Sequence, residues 1–134
     1  MKPKTISIAL GALALAATAA VAASPARRAI LDGYAAKAGA PPSVARGKAF
    51  FLGTHSGGKP DISSCTSCHT RDPHKAGRTR AGKSIEPMAV SVTPSRFTDA
   101  AKVEKWFGRN CKTVLGRACT AAEKADFIAF MAGQ

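Results

Sequence analysis

The run Cys65-Thr66-Ser67-Cys68-His69 sets two thiols three positions apart and follows the second with an imidazole. Thiols at that spacing can add to the two vinyl groups of one porphyrin as thioethers. The next side chain then lies under the ring, where its imidazole can bind the iron. The motif therefore reads as one covalent haem c, held by Cys65 and Cys68, with His69 as proximal iron ligand. Two other chemistries share a Cys-x-x-Cys pair. A thioredoxin-like dithiol needs a βαβ setting that this helical, loop-rich chain lacks. A zinc site needs two more ligands at knuckle-like spacing, and Cys111 and Cys119 offer no such pattern.

What occupies the other face of the iron decides what such a site does. Met88, in Ile85-Glu86-Pro87-Met88, follows the haem motif on a loop, and its soft thioether favours ferrous iron and raises the potential. Its bland reading is a haem-packing hydrophobe. Asn110 shares a helical stripe with Val103, Trp106 and Phe107, at i, i+3, i+4 and i+7. A neutral amide oxygen is a hard, weak ligand better suited to ferric iron; the bland reading is an exposed or capping Asn near a helix end. His55 sits in a glycine-rich loop, and His74 follows His69 too closely to reach the opposite face. Trp106 is the aromatic expected to pack near the haem, with a plain core role as the alternative.

These residues need a scaffold, and the pattern supplies helices joined by loops. Ser24-Pro25 starts a helix that carries Ile30, Leu31, Tyr34, Ala35 and Ala38 and stops at Gly39. Ser43 caps a second, with Val44, Gly47 and Phe51 on one face and Gly53 closing it. Residues 54–64 and 70–84 are rich in turn formers, and no strand-period alternation appears in the second stretch. A loop that long suggests wrapping around something, for which a haem is suited. Thr98 and Asp99 cap the helix that carries Asn110, and Gly116 ends it. Thr120 and Glu123 have capping-box spacing for a last helix whose inward residues are Phe127, Ile128, Phe130 and Met131. The expected fold is all-α, one domain over 24–134.

Residues 1–23 read as a signal peptide: Lys2 and Lys4, an apolar run, then Ala20, Ala22 and Ala23 as a cleavage site near Ala22 or Ala23. The run is short for a membrane span, so no stable membrane insertion is expected. Export places the protein in the periplasm and makes a structural disulfide the default for Cys111 and Cys119, with free thiols or a redox-active bridge as alternatives. The 134-residue chain carries a formal charge of +12, which falls by two with Lys2 and Lys4 removed. Export argues against nucleic acid. A positive face steering an acidic redox partner is the preferred reading, against a merely solvated surface.

Beyond the haem motif, the chain carries Ile85-Glu86-Pro87, Arg96-Phe97-Thr98-Asp99, Val103-Glu104-Lys105-Trp106-Phe107, Arg109-Asn110-Cys111 and Gly116-Arg117-Ala118-Cys119-Thr120, in that order. In these segments, over nearly all of 24–134, it resembles the cytochromes typified by the sphaeroides haem protein. The resemblance implies a class I cytochrome c fold, here with an added N-terminal helix (Pro25 to Ala38). It implies Asn110 as sixth ligand and a Cys111–Cys119 disulfide. It implies loss of the asparagine on reduction, so that ferrous iron binds oxygen or other diatomics, and diheme cytochromes as electron donors. Met88 departs from that pattern, since the asparagine-ligated type relies on no methionine there. A six-coordinate, Met88-ligated electron carrier is the alternative. Oxidase- or peroxidase-like turnover stays open: no distal histidine or arginine is forced over the iron by spacing, although Arg109 adjoins Asn110.

Overall fold

The computed structural model describes residues 24–134; the expected signal peptide lies outside the described residues. Five helices and one short hairpin follow in the order α1 (Pro25–Ala38), α2 (Val44–Leu52), α3 (Thr66–His69), β1 (Gly77–Arg78), β2 (Ser84–Ile85), α4 (Ala100–Leu115) and α5 (Ala121–Ala132). The described residues are mostly helical, as the sequence led one to expect.

Helix ends follow local chemistry. Ser43 accepts a hydrogen bond from the Arg46 amide, Asp99 from the Lys102 amide, and Thr120 exchanges a full capping box with Glu123. Gly39 and Gly116 end α1 and α4 in the left-handed region. The Ser24 side chain makes no capping bond; Pro25 starts α1 without it. The antiparallel pair β1–β2 was not expected from the sequence. Two-residue strands are too short to alternate, and the pairing is set by the tight turn in which Gly82 donates to Thr79 and Thr79 to Lys83.

Helix α5 is the centre of the core. Phe127, Ile128, Phe130 and Met131 are all buried, as expected, and α2 and α1 pack against it. The α2–α5 crossing is close because Gly47 has no side chain: a Cβ there would stand 2.0 Å from the Asp126 carbonyl oxygen. Of the expected α2 face, Gly47 and Phe51 are buried, but Val44 at the first turn is exposed. Helix α4 joins through Phe107, which meets Phe127 edge-to-face at 5.6 Å and Tyr34 at 6.2 Å. The added helix α1 is fastened by two buried side chains. Tyr34 donates to Glu104 at 2.5 Å, and Arg27 donates to the carbonyls of Arg96 at 3.0 Å and Pro94 at 2.5 Å.

Candidate haem site

Helix α3 is a single turn made of the motif itself, with the amides of Cys68 and His69 both bonded to the Cys65 carbonyl. Thr70, directly after it, adopts φ 62°, a costly conformation for a β-branched residue, and its hydroxyl donates to the Asp72 carbonyl at 2.8 Å. The chain thereby turns away from His69 and returns through β1. There Gly77 lies so close that a Cβ would stand 2.2 Å from the Cys68 carbonyl oxygen. The two cysteines are unpaired and differ in setting. Cys65 packs against the cluster of Phe51, Met88, Phe127, Phe130 and Met131. Cys68 lines a shallow polar groove with Thr66, Ser67, Thr70 and Arg78.

Burial pushes the Cys65 thiol up to about 11, so it is no activated thiolate, which argues against a redox dithiol. Burial, and then the nearby Arg96 guanidinium, push the His69 imidazole down to about 4. The ring is therefore neutral, as a metal ligand must be. Its Nδ1 is buried, and among the described residues it has no hydrogen-bond partner. An orphaned buried ring nitrogen is uncommon and calls for an explanation. Among the described residues no three His, Cys, Asp or Glu side chains gather into a metal cluster. A metal at His69 would have to bring most of its ligands with it, as a porphyrin does. These residues fit a haem: two free thiols, a neutral uncommitted imidazole and an apolar cluster beside them.

The candidates for the opposite face are held quite differently. Met88 is buried within the core cluster, its loop fixed by Arg96, whose Nε donates to the Pro87 carbonyl at 3.1 Å and Nη2 to the Glu86 carbonyl at 2.5 Å. The expected α4 stripe is divided. Val103 is buried and Phe107 half-buried, but Trp106, at 45 % exposure, and Asn110 lie on the open flank. The Asn110 amide makes no side-chain hydrogen bond among the described residues. The next residue, Cys111, is bonded to Cys119, and both are buried. His55 is engaged with the Phe50 carbonyl at 2.9 Å, and exposed His74 with Asp72.

Sequence reasoning did not single out Arg27 and Arg96. The arrangement of a mostly helical domain around a one-turn Cys-x-x-Cys-His helix defines a cytochrome c-like protein, and its relatives imply haem c as cofactor. Residues 37–131 match a domain of unknown function, DUF1924. The chain is 58 % identical over 111 residues to the cytochrome c-type protein SHP of Cereibacter sphaeroides, covering 83 % of this chain and 84 % of that protein. It is similar to the structure of oxidised SHP, an oxygen-binding cytochrome c, with TM-score 0.79 and 56 % identity over 81 % of this chain and 96 % of that one. The solution structure of cytochrome c'' from Methylophilus methylotrophus, determined for insight into haem-ligand detachment, aligns with TM-score 0.68 and 34 % identity over 81 % and 93 % of the two chains. The chain belongs to the SHP family of c-type cytochromes.

Proposed function

We propose that this protein is an exported monohaem cytochrome c that takes an electron from another cytochrome and, as Asn110 leaves the iron on reduction, binds oxygen or another small diatomic. The haem, when bound, supplies an iron that exchanges one electron and can take a diatomic in its ferrous state. The rest belongs to the chain. Cys65 and Cys68 hold the cofactor as thioethers, and His69 is the constant ligand, its imidazole kept neutral by burial.

The observation that carries this reading is the contrast between Asn110 and Met88. Asn110 is exposed on the α4 flank beside Trp106, its amide unbonded among the described residues and its backbone next to the Cys111–Cys119 bridge. Met88 is committed to the core. A polar side chain on a rigid helix, free to swing by rotamer alone, suits a ligand that must leave and return. A weak amide oxygen is the donor type that ferrous iron holds least. The oxygen binding of SHP and the ligand detachment studied in cytochrome c'' support the same reading. Trp106, on the same flank and 45 % exposed, is the aromatic we expect beside the haem.

The test is access of an added ligand to the ferric protein. Asn110→Ala is expected to raise ferric affinity for imidazole by about tenfold or more, since no internal ligand then competes, while Met88→Ala leaves that affinity near the wild-type value. The opposite ranking would make Met88 the ligand and the protein a six-coordinate electron carrier.

A further inference from the structure

Helix α4 presents two unlike faces. Glu104, on the side of α4 turned toward α1 and α5, accepts hydrogen bonds from Tyr34 and Lys124. On its outer side Lys102, Lys105, Arg109 and Lys112 stand at i, i+3, i+7 and i+10, all exposed. That spacing puts four positive charges in one stripe along the 16-residue helix. Among the described residues none of them is in an ion pair. The ion pairs among the described residues are made elsewhere: Arg46–Asp126, His74 and Lys75 with Asp72, Arg80–Asp61, Arg117–Glu123 and Lys124–Glu104. The β-hairpin is also basic, but Arg80 there has an acidic partner.

The stripe also has an anchor. Trp106 borders it, exposed, with the Lys105 ammonium 5.7 Å and the Arg109 guanidinium 5.4 Å from its ring. Like charges on one helix face destabilise that helix unless something offsets them. A flat, partly exposed aromatic among cations is a composition suited to an interface. The stripe adjoins the flank that carries Asn110, so a protein seated on it would lie beside the proposed sixth ligand.

We propose that the Lys102–Lys105–Arg109–Lys112 stripe, with Trp106 at its margin, is the docking surface for an acidic electron-donor protein. This rests on the reading of the protein as an electron-accepting cytochrome. Opposite charge across the encounter raises the association rate, and the effect is screened by salt. The stripe thereby joins the partner's arrival to the site that opens on reduction.

The experiment follows reduction of the ferric holoprotein by a reduced acidic flavodoxin, used as probe, in stopped flow at low and high ionic strength. Three proteins are compared: wild type, the stripe variant Lys102→Glu/Lys105→Glu, and a hairpin control Arg78→Glu/Lys83→Glu. Wild type and control are expected to react fast at low salt and to slow about tenfold as salt is raised. The stripe variant is expected to start about tenfold slower and to lose most of that salt dependence. Reduction by a neutral small-molecule quinol should proceed alike in all three, showing that the haem environment is intact. If the hairpin variant slows and the stripe variant does not, the stripe is not the docking surface, though an acidic donor stands. If wild-type reduction shows no salt dependence, the acidic-donor reading itself fails and the stripe with it.

Discussion

The Nε of Arg96 donates to the carbonyl of Pro87 at 3.1 Å, tying the turn before α4 to the loop that carries Met88. Arg27 of α1 holds the Arg96 and Pro94 carbonyls in turn, so the added N-terminal helix reaches the Met88 loop through two arginines. Neither guanidinium has an acidic partner within ion-pair distance among the described residues; carbonyl oxygens take their hydrogen bonds. Charge-assisted bonds of this kind are each worth roughly 1.5–3 kcal/mol. Arg96→Ala is therefore expected to lower stability by about 2–4 kcal/mol, read as a lower urea midpoint with an unchanged slope. An unchanged midpoint would mean that the loop is held by something else.

Gly47 makes a sharper prediction, because backbone opposes it. An added methyl would stand 2.0 Å from the Asp126 carbonyl oxygen and 2.9 Å from the Phe130 Cβ. The α2–α5 crossing must open to admit it, and overpacking of this kind costs typically 1–3 kcal/mol, occasionally more. Gly47→Ala should thus destabilise the protein, although alanine favours helix by about 1 kcal/mol over glycine. A stabilised variant, measured by thermal unfolding, would show that the two helices pack less closely than described.

Asp126 gives a pH dependence. Burial alone would raise its carboxyl, but hydrogen bonds from Arg46 at 2.7 and 2.9 Å and from the Ser43 amide at 2.6 Å outweigh it and hold the group below the usual carboxylate range. A folded value below the unfolded one means stability that is present above about pH 4 and lost as pH falls further. Asp126→Asn should be less stable at pH 7 and should lose less stability between pH 5 and 2 (about the span of the carboxylate titration) than wild type. Parallel curves for the two proteins would contradict this role.

Met88→Ala separates packing from ligation. Truncating a buried methionine costs roughly 2–5 kcal/mol. Met88 lies among Phe51, Phe127, Phe130 and Met131, so a loss in that range is expected in chemical denaturation. Under Asn110 ligation the reduction potential should change little. A marked fall in potential would identify Met88 as the ligand, because losing a thioether removes the donor that favours ferrous iron.

The cytochrome c class was legible because the motif that signals it is local: Cys65, Cys68 and His69 need only their spacing. Helix ends were equally local, as the caps at Ser43, Asp99 and Thr120 show. What escaped depends on distant partners. Arg27 reads as a solvated helix residue until it is seen to bond carbonyls 67 and 69 residues away. Periodicity placed Val103, Trp106, Phe107 and Asn110 on one stripe, but only the positions of Tyr34 and Phe127 decide that Phe107 turns inward while Trp106 stays exposed. The β1–β2 ladder is shorter than any pattern can report.

In the function proposed above, the sixth ligand leaves when the iron is reduced. The measurement is the absorption spectrum of the purified holoprotein, oxidised and reduced, with and without carbon monoxide. The reduced form is expected to turn high-spin and to bind carbon monoxide rapidly. A reduced form that stays low-spin and ignores carbon monoxide would contradict it, and would leave a six-coordinate electron carrier with Met88 on the iron.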